Sequence, residues 1–175
     1  MKHTIIVFVI ICGYFYTPAE TAETAETADK PEILAVLPLS GQGITDRGLN
    51  RITYYLRKEI EKSNKLITMN HQKMNKILLE KGLIYINTCN DLSCAQTLGH
   101  ALSTEYVAQS RIAKVGDIIV FNLRVINIKN QKLVMTIEEY IDGSLETLIV
   151  DFFPTIAKRI VKSCIQESAK KTPEI

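Results

Sequence analysis

The sequence predicts an α/β (α+β) fold: a single mixed sheet of about five strands with helices packed on it, ending in a three-stranded meander and a long C-terminal helix. Three observations lead there. The run Ile33-Leu34-Ala35-Val36-Leu37-Pro38 is continuously apolar, as in a strand buried on both faces, and a helical pattern follows it. Glu105–Ala113, Asp117–Ile128 and Lys132–Tyr140 are rich in β-branched and aromatic residues and are separated by Gly116 and by Lys129-Asn130-Gln131, which are turn chemistries. From Ser144 to about Ser168 the apolar residues recur at helical spacing.

The elements follow in order. After the first strand, closed by Pro38, Ser40-Gly41-Gln42-Gly43 reads as a turn. Thr45 or Asp46 caps the next helix, with Leu49, Ile52, Leu56 and Ile60 inward and Arg57, Lys58, Glu61 and Lys62 outward. Lys65–Met69 is a short strand, and Asn70 caps a second helix with Met74, Ile77 and Leu78 inward and Gly82 as its stop. Leu83–Thr88 reads as extended or irregular. Asp91 caps a third helix that packs Cys94, Leu98 and Ala101 or Leu102 onto the same core. In the middle strand of the meander Ile119, Phe121, Leu123 and Val125 share one face while Asn122 and Arg124 take the other, so one face is buried and the other at least partly wet. In the last helix Leu145, Leu148, Ile149, Phe152, Ile156, Ile160 and Cys164 form the apolar stripe, and Pro154 kinks or divides it.

The N-terminus has the form of a secretory signal. Lys2 and His3 precede an apolar stretch from Ile5 to Phe15, which is shorter than the roughly 20 residues a membrane span needs. Thr17-Pro18-Ala19 offers small residues where signal peptidase requires them, so residues 1–19 read as signal. Cys12 supports a second reading, lipidation at Val9-Ile10-Ile11-Cys12, against which stands Ile11, where a small residue is the rule. Residues 20–30 form a low-complexity linker, 31–169 the folded domain and 170–175 a fraying tail. The expected location is periplasmic or extracytoplasmic, with tethering at the outer membrane if Cys12 carries a lipid. With 21 basic against 19 acidic residues, no charge excess draws the chain to nucleic acid or to an anionic membrane, and membrane contact is expected only through an N-terminal lipid.

In an oxidising compartment Cys89 and Cys94, five apart, suggest a structural disulfide stabilising by on the order of 2 kcal/mol, since a redox motif uses two intervening residues rather than four. Cys164 falls on the apolar face of the last helix and reads as a buried, inert thiol. His71 and His100 lack ligand partners at metal spacing, and no metal or other cofactor is expected. Ser40–Gly43 lies between a strand and a helix, where phosphate loops sit, but it lacks the Lys-Ser/Thr end of a P-loop and the third Gly of a dinucleotide fingerprint. Glu138 and Glu139 point to opposite faces of a strand and cannot cooperate as an acid pair.

Several stretches carry a family resemblance. They are Ile33–Leu39, Met69–Leu78, Cys89-Asn90-Asp91-Leu92-Ser93-Cys94-Ala95 with Leu98-Gly99 and Leu102, Val115-Gly116-Asp117, and Arg124-Val125-Ile126-Asn127. Together with the element order they resemble the periplasmic domain of the curli secretion component CsgG and its relatives, a TolB N-terminal-like α/β fold, over roughly residues 32–165. Asn127 and Gln131 stand where relatives usually carry Asp and Gly. Channel-forming relatives carry long amphipathic hairpin insertions, and the short loops here leave no segment for them. The resemblance therefore implies a non-enzymatic adaptor or assembly domain in secretion or in regulating another envelope machine, such as a cell-wall synthase. Its partner would be an envelope protein or further copies of itself, met through the partly polar sheet face or the first helix. The competing reading is a small-ligand-binding protein or enzyme built on Ser40–Gly43.

Overall fold

A computed structural model describes residues 31–83, 89 and 91–170. The signal, Cys12, the linker, the stretch 84–88 and the last five residues lie outside the described residues.

The strands are β1 (Glu32–Val36), β2 (Ser40–Gln42), β3 (Leu66–Thr68), β4 (Tyr106–Val115), β5 (Ile118–Asn127) and β6 (Lys132–Asp142). They form one mixed six-stranded sheet in the order β3-β1-β4-β5-β6, with β2 paired to β4 beyond the end of β1. β1 runs parallel to β3 and β4, and the β4-β5-β6 meander is antiparallel. Leu34, Ala35 and Val36 are fully buried, as parallel pairing on both sides and helices on both faces require.

Ser40–Gly43 differs from the sequence reading. Ser40, Gly41 and Gln42 form a strand in parallel register with Arg111, Ile112 and Ala113. A Cβ on Gly41 would lie 2.6 Å from the Ile112 carbonyl oxygen and 2.9 Å from Leu49 Cδ2, so close packing of β2 requires glycine there.

The helices are α1 (Asp46–Glu61), α2 (His71–Glu80), α3 (Leu92–Leu102), a single turn α4 (Leu145–Thr147) and α5 (Phe153–Ala169), with a π-helical turn at Leu148–Phe152 between the last two. Thr45, Asn70, Asp91 and Ser144 cap α1 to α4, each accepting hydrogen bonds from first-turn amides. The predicted break at Pro154 takes the form of this π turn, which accommodates a residue that has no N–H to donate and whose ring crowds the preceding turn.

The helices divide between the faces of the sheet. α1 and α5 bury Leu34, Val36, Tyr106, Phe121, Leu123 and their neighbours on one side, with Cys164 fully buried among them. α2 and α3 bury Ala35, Leu37, Val107 and Ile126 on the other. The third helix therefore does not join the first core but builds a second, with Ala95, Leu98, Gly99 and Leu102 inward and Cys94 at its margin. Gly99 permits this contact, since a Cβ there would lie 2.4 Å from Ile128 Cδ1.

Arg57 also departs from expectation. It points inward, is 9% exposed, and donates from Nη2 to the Val36 carbonyl oxygen at 2.5 Å. Burial lowers its guanidinium to about 10, against the opposing pull of Glu61. Periodicity misplaces it because the long aliphatic stem packs as an apolar side chain would, while the head finds the carbonyl at the end of β1. Burial pushes the Glu61 carboxyl up, but hydrogen bonds from Lys58 and Thr68 and the charges of Lys58 and Arg57 outweigh it and hold the group low. At the β5–β6 turn Asn127 accepts from the amides of Lys129 at 3.0 Å and Asn130 at 3.3 Å, and Gln131 adopts φ of 57°.

Candidate docking face of the sheet

The face that carries α2 and α3 is only half covered. These helices lie over β1 and the ends of β4 and β5 at Val107 and Ile126. Further along, the same faces of β4, β5 and β6 stay open. The ladder places Arg111 beside Asn122 and Asn122 beside Glu138, with Gln109, Arg124 and Thr136 in the adjacent row. Residues opposite one another in a ladder share a face, so these six side chains form one polar field.

Gln109 marks the boundary. It is buried, and its Nε2 donates to the Cys89 carbonyl oxygen at 2.6 Å. Cys89 and Cys94 form a disulfide with Cα atoms 5.5 Å apart, and the Cys94 amide donates to the Asp91 cap at 2.7 Å. The crosslink thus fixes the start of α3 at the place where cover ends. Beyond it lies a depression of about 470 Å³ lined by Ser40, Gln42, Arg111, Asn122, Val120 and Arg124 among others. Among the described residues neither Arg111 nor Arg124 makes an ion pair.

Toward the β4–β5 turn the field becomes largely apolar, with exposed Asp142 paired to Ile118 at its edge. Val115 pairs with Ile118, and Val120 pairs with Tyr140. Val115 is 69% exposed, Ile118 48% and Tyr140 69%. The Tyr140 hydroxyl donates to Glu138 Oε1 at 3.1 Å, and that hydrogen bond, with the nearby carboxylate charge, raises its phenol above the ordinary value.

Ser40, Gly41 and Gln42 all line the depression. His71 bonds Asn75 at 3.1 Å on α2, and its imidazole is lowered by burial and by Arg57. Among the described residues no group of three or more His, Cys, Asp or Glu side chains gathers to hold a metal, and no helix is long and apolar enough to cross a membrane. The alternation in β5 predicts a wet face, while the arginine pair and the apolar end emerge only from the pairing of β4, β5 and β6. Ile118 and Val120, in phase with Asn122 and Arg124, were the available signal.

No known protein family matches the chain, and no curated protein is similar to it in sequence. Solved structures are similar in fold. The C-terminal domain of LpoB from Salmonella enterica superposes with a TM-score of 0.55 at 12% identity, covering 65% of this chain and 84% of that one. The same domain from Escherichia coli gives 0.54 at 12% identity over 65% and 84%. A lipoprotein from Neisseria meningitidis gives 0.52 at 11% identity over 81% of this chain and 100% of its own. At these identities the likeness is one of fold.

Proposed function

We propose that this protein is an exported, non-enzymatic docking module of the cell envelope, an adaptor or regulator in envelope biogenesis or secretion that engages a protein partner through the open half of its sheet. One observation carries the reading. Exposed Val115, Ile118 and Tyr140 share one face of the three-stranded meander with Arg111 and Arg124, Tyr140 in the row next to Arg111. Tyr and Arg beside apolar side chains are the chemistry enriched at protein interfaces, where apolar groups supply burial and arginine supplies oriented hydrogen bonds. A sheet held by two cores also presents those groups with little ordering cost on binding. The shared fold with a lipoprotein supports an envelope setting, and the signal-like N-terminus supports export. Release after Ala19 or tethering through Cys12 would alter reach, not the docking face.

A photo-crosslinking residue placed at Tyr140 tests this in cells. Adducts with an envelope protein are expected from position 140 and not from the exposed Tyr54 on α1, and Arg111→Glu with Arg124→Glu should abolish them. Equal labelling at both positions, or none at 140, would reject the reading. An adduct with twice the mass of the chain would identify the partner as a second copy. Saturable binding of a small molecule in the depression, with no protein adduct, would favour the ligand-binding alternative.

A further inference from the structure

We infer that the groove between α1 and α5, on the opposite side of the sheet from the open half-face, docks an acidic amphipathic helix of a partner protein. The groove measures about 450 Å³ and is predominantly apolar. Along α5 its floor is Pro154, Ala157, Val161 and Ile165, a stripe of roughly 16 Å or about three helical turns. Lys158 and Lys162 line it from α5, and Lys62 and Lys65 line it from the end of α1 and the turn beyond. Glu59 is the acidic residue at the rim, and it is bound to Lys62 at 2.6 Å. Among the described residues Lys65, Lys158 and Lys162 make no ion pair.

Ordinary helix chemistry explains part of this. Lys62 and Lys65 follow the C-terminus of α1, where cations complement the helix dipole, and long lysine stems cover apolar surface. Lys158 and Lys162 fall inside α5, one turn apart, where like charges disfavour the helix. Their position is accounted for by an anionic occupant. Lys158 and Lys162 along the α5 side and Lys62 and Lys65 at the α1 end set cations on either side of the apolar stripe, which acidic residues on both flanks of an occupant would match. A helix with apolar residues at i, i+3 or i+4 and i+7, flanked by Glu and Asp, has that distribution. A lipid concentrates its charge at one end and would not match both Lys158 and Lys162 along α5 and the pair Lys62 and Lys65 at the α1 end.

The test uses the full chain and a dye-labelled peptide of about four helical turns with a Leu stripe and Glu flanks, alongside a peptide with the same stripe and Lys flanks. Fluorescence anisotropy should show binding of the Glu-flanked peptide alone, weakening with added salt and weakening by roughly tenfold or more in the Lys158→Glu, Lys162→Glu variant. Lys158→Gln with Lys162→Gln serves as the milder pair if charge reversal impairs folding. Amide shifts on binding should map to residues 154–166. Absence of binding, equal binding of the two peptides, insensitivity to the lysine variants or a footprint on the open sheet face would each overturn the proposal. So would lysine-dependent sedimentation with phosphatidylcholine–phosphatidylglycerol vesicles in the absence of peptide binding, which would assign the groove to an anionic lipid surface.

Discussion

The two halves of one sheet face are built from the same strands and have opposite fates. At one end of β4 and β5, Val107 and Ile126 lie under α3 and are fully buried. A few residues away on the same faces, Arg111 and Arg124 meet solvent. The backbone hydrogen-bonding pattern continues from one half to the other, so the strands themselves do not set the difference. It is set by where α3 begins, and the disulfide and Gln109 hold that point. A face that is half core and half surface gains rigidity from the first and recognition from the second.

The largest expected effect comes from the opposite face, which α1 and α5 cover. Phe121→Ala should destabilise the protein by about 3–5 kcal/mol in chemical denaturation, because Phe121 is fully buried between the meander and the last helix. Next is Gly99→Val, which forces a side chain against Ile128 and Val107 and should cost about 1–3 kcal/mol. Its hydrogen-exchange signature sharpens the comparison: α2 and α3 should lose protection while β5 and β6 keep theirs. Uniform loss would show that the covered half is not a separable layer. Replacing Cys89 and Cys94 together by serine should cost about 2 kcal/mol and loosen the boundary at Gln109.

Acid should act near α1. The Glu61 carboxyl is held low in the fold, so the stability it contributes is complete above roughly pH 4.3, the ordinary carboxylate value, and is lost as pH falls through its folded value. Glu61→Gln should therefore flatten that acidic part of the profile of Tm against pH. The smallest effect is expected on the open half. Asn122→Ala should change stability by no more than about 0.5 kcal/mol while weakening crosslinking from position 140, and a larger loss of stability would mean that this half is structural after all.

Much of this architecture is legible in the chain because the signals are local. The alternation in β5, the caps at Asn70 and Asp91 and the turn at Gly116 are set by neighbours in sequence. Arg57 and Ser40–Gly43 depart from their local sequence pattern because their roles are set by groups far along the chain: the Val36 carbonyl for Arg57, and the edge of β4 for Gly41. The arginine pair was hidden for the same reason, since Arg111 and Arg124 become neighbours only when β4 and β5 pair in register.

The sequence by itself determined the fold class, the helix starts and which face of each meander strand is apolar, because hydrophobic period and capping are read within a few residues. Only the tertiary structure decided that α3 joins a second core, that its cover stops at Gln109, and that a polar field with an apolar end is left open. Those facts depend on where separate elements come to rest against one another, and no short window of sequence records that distance.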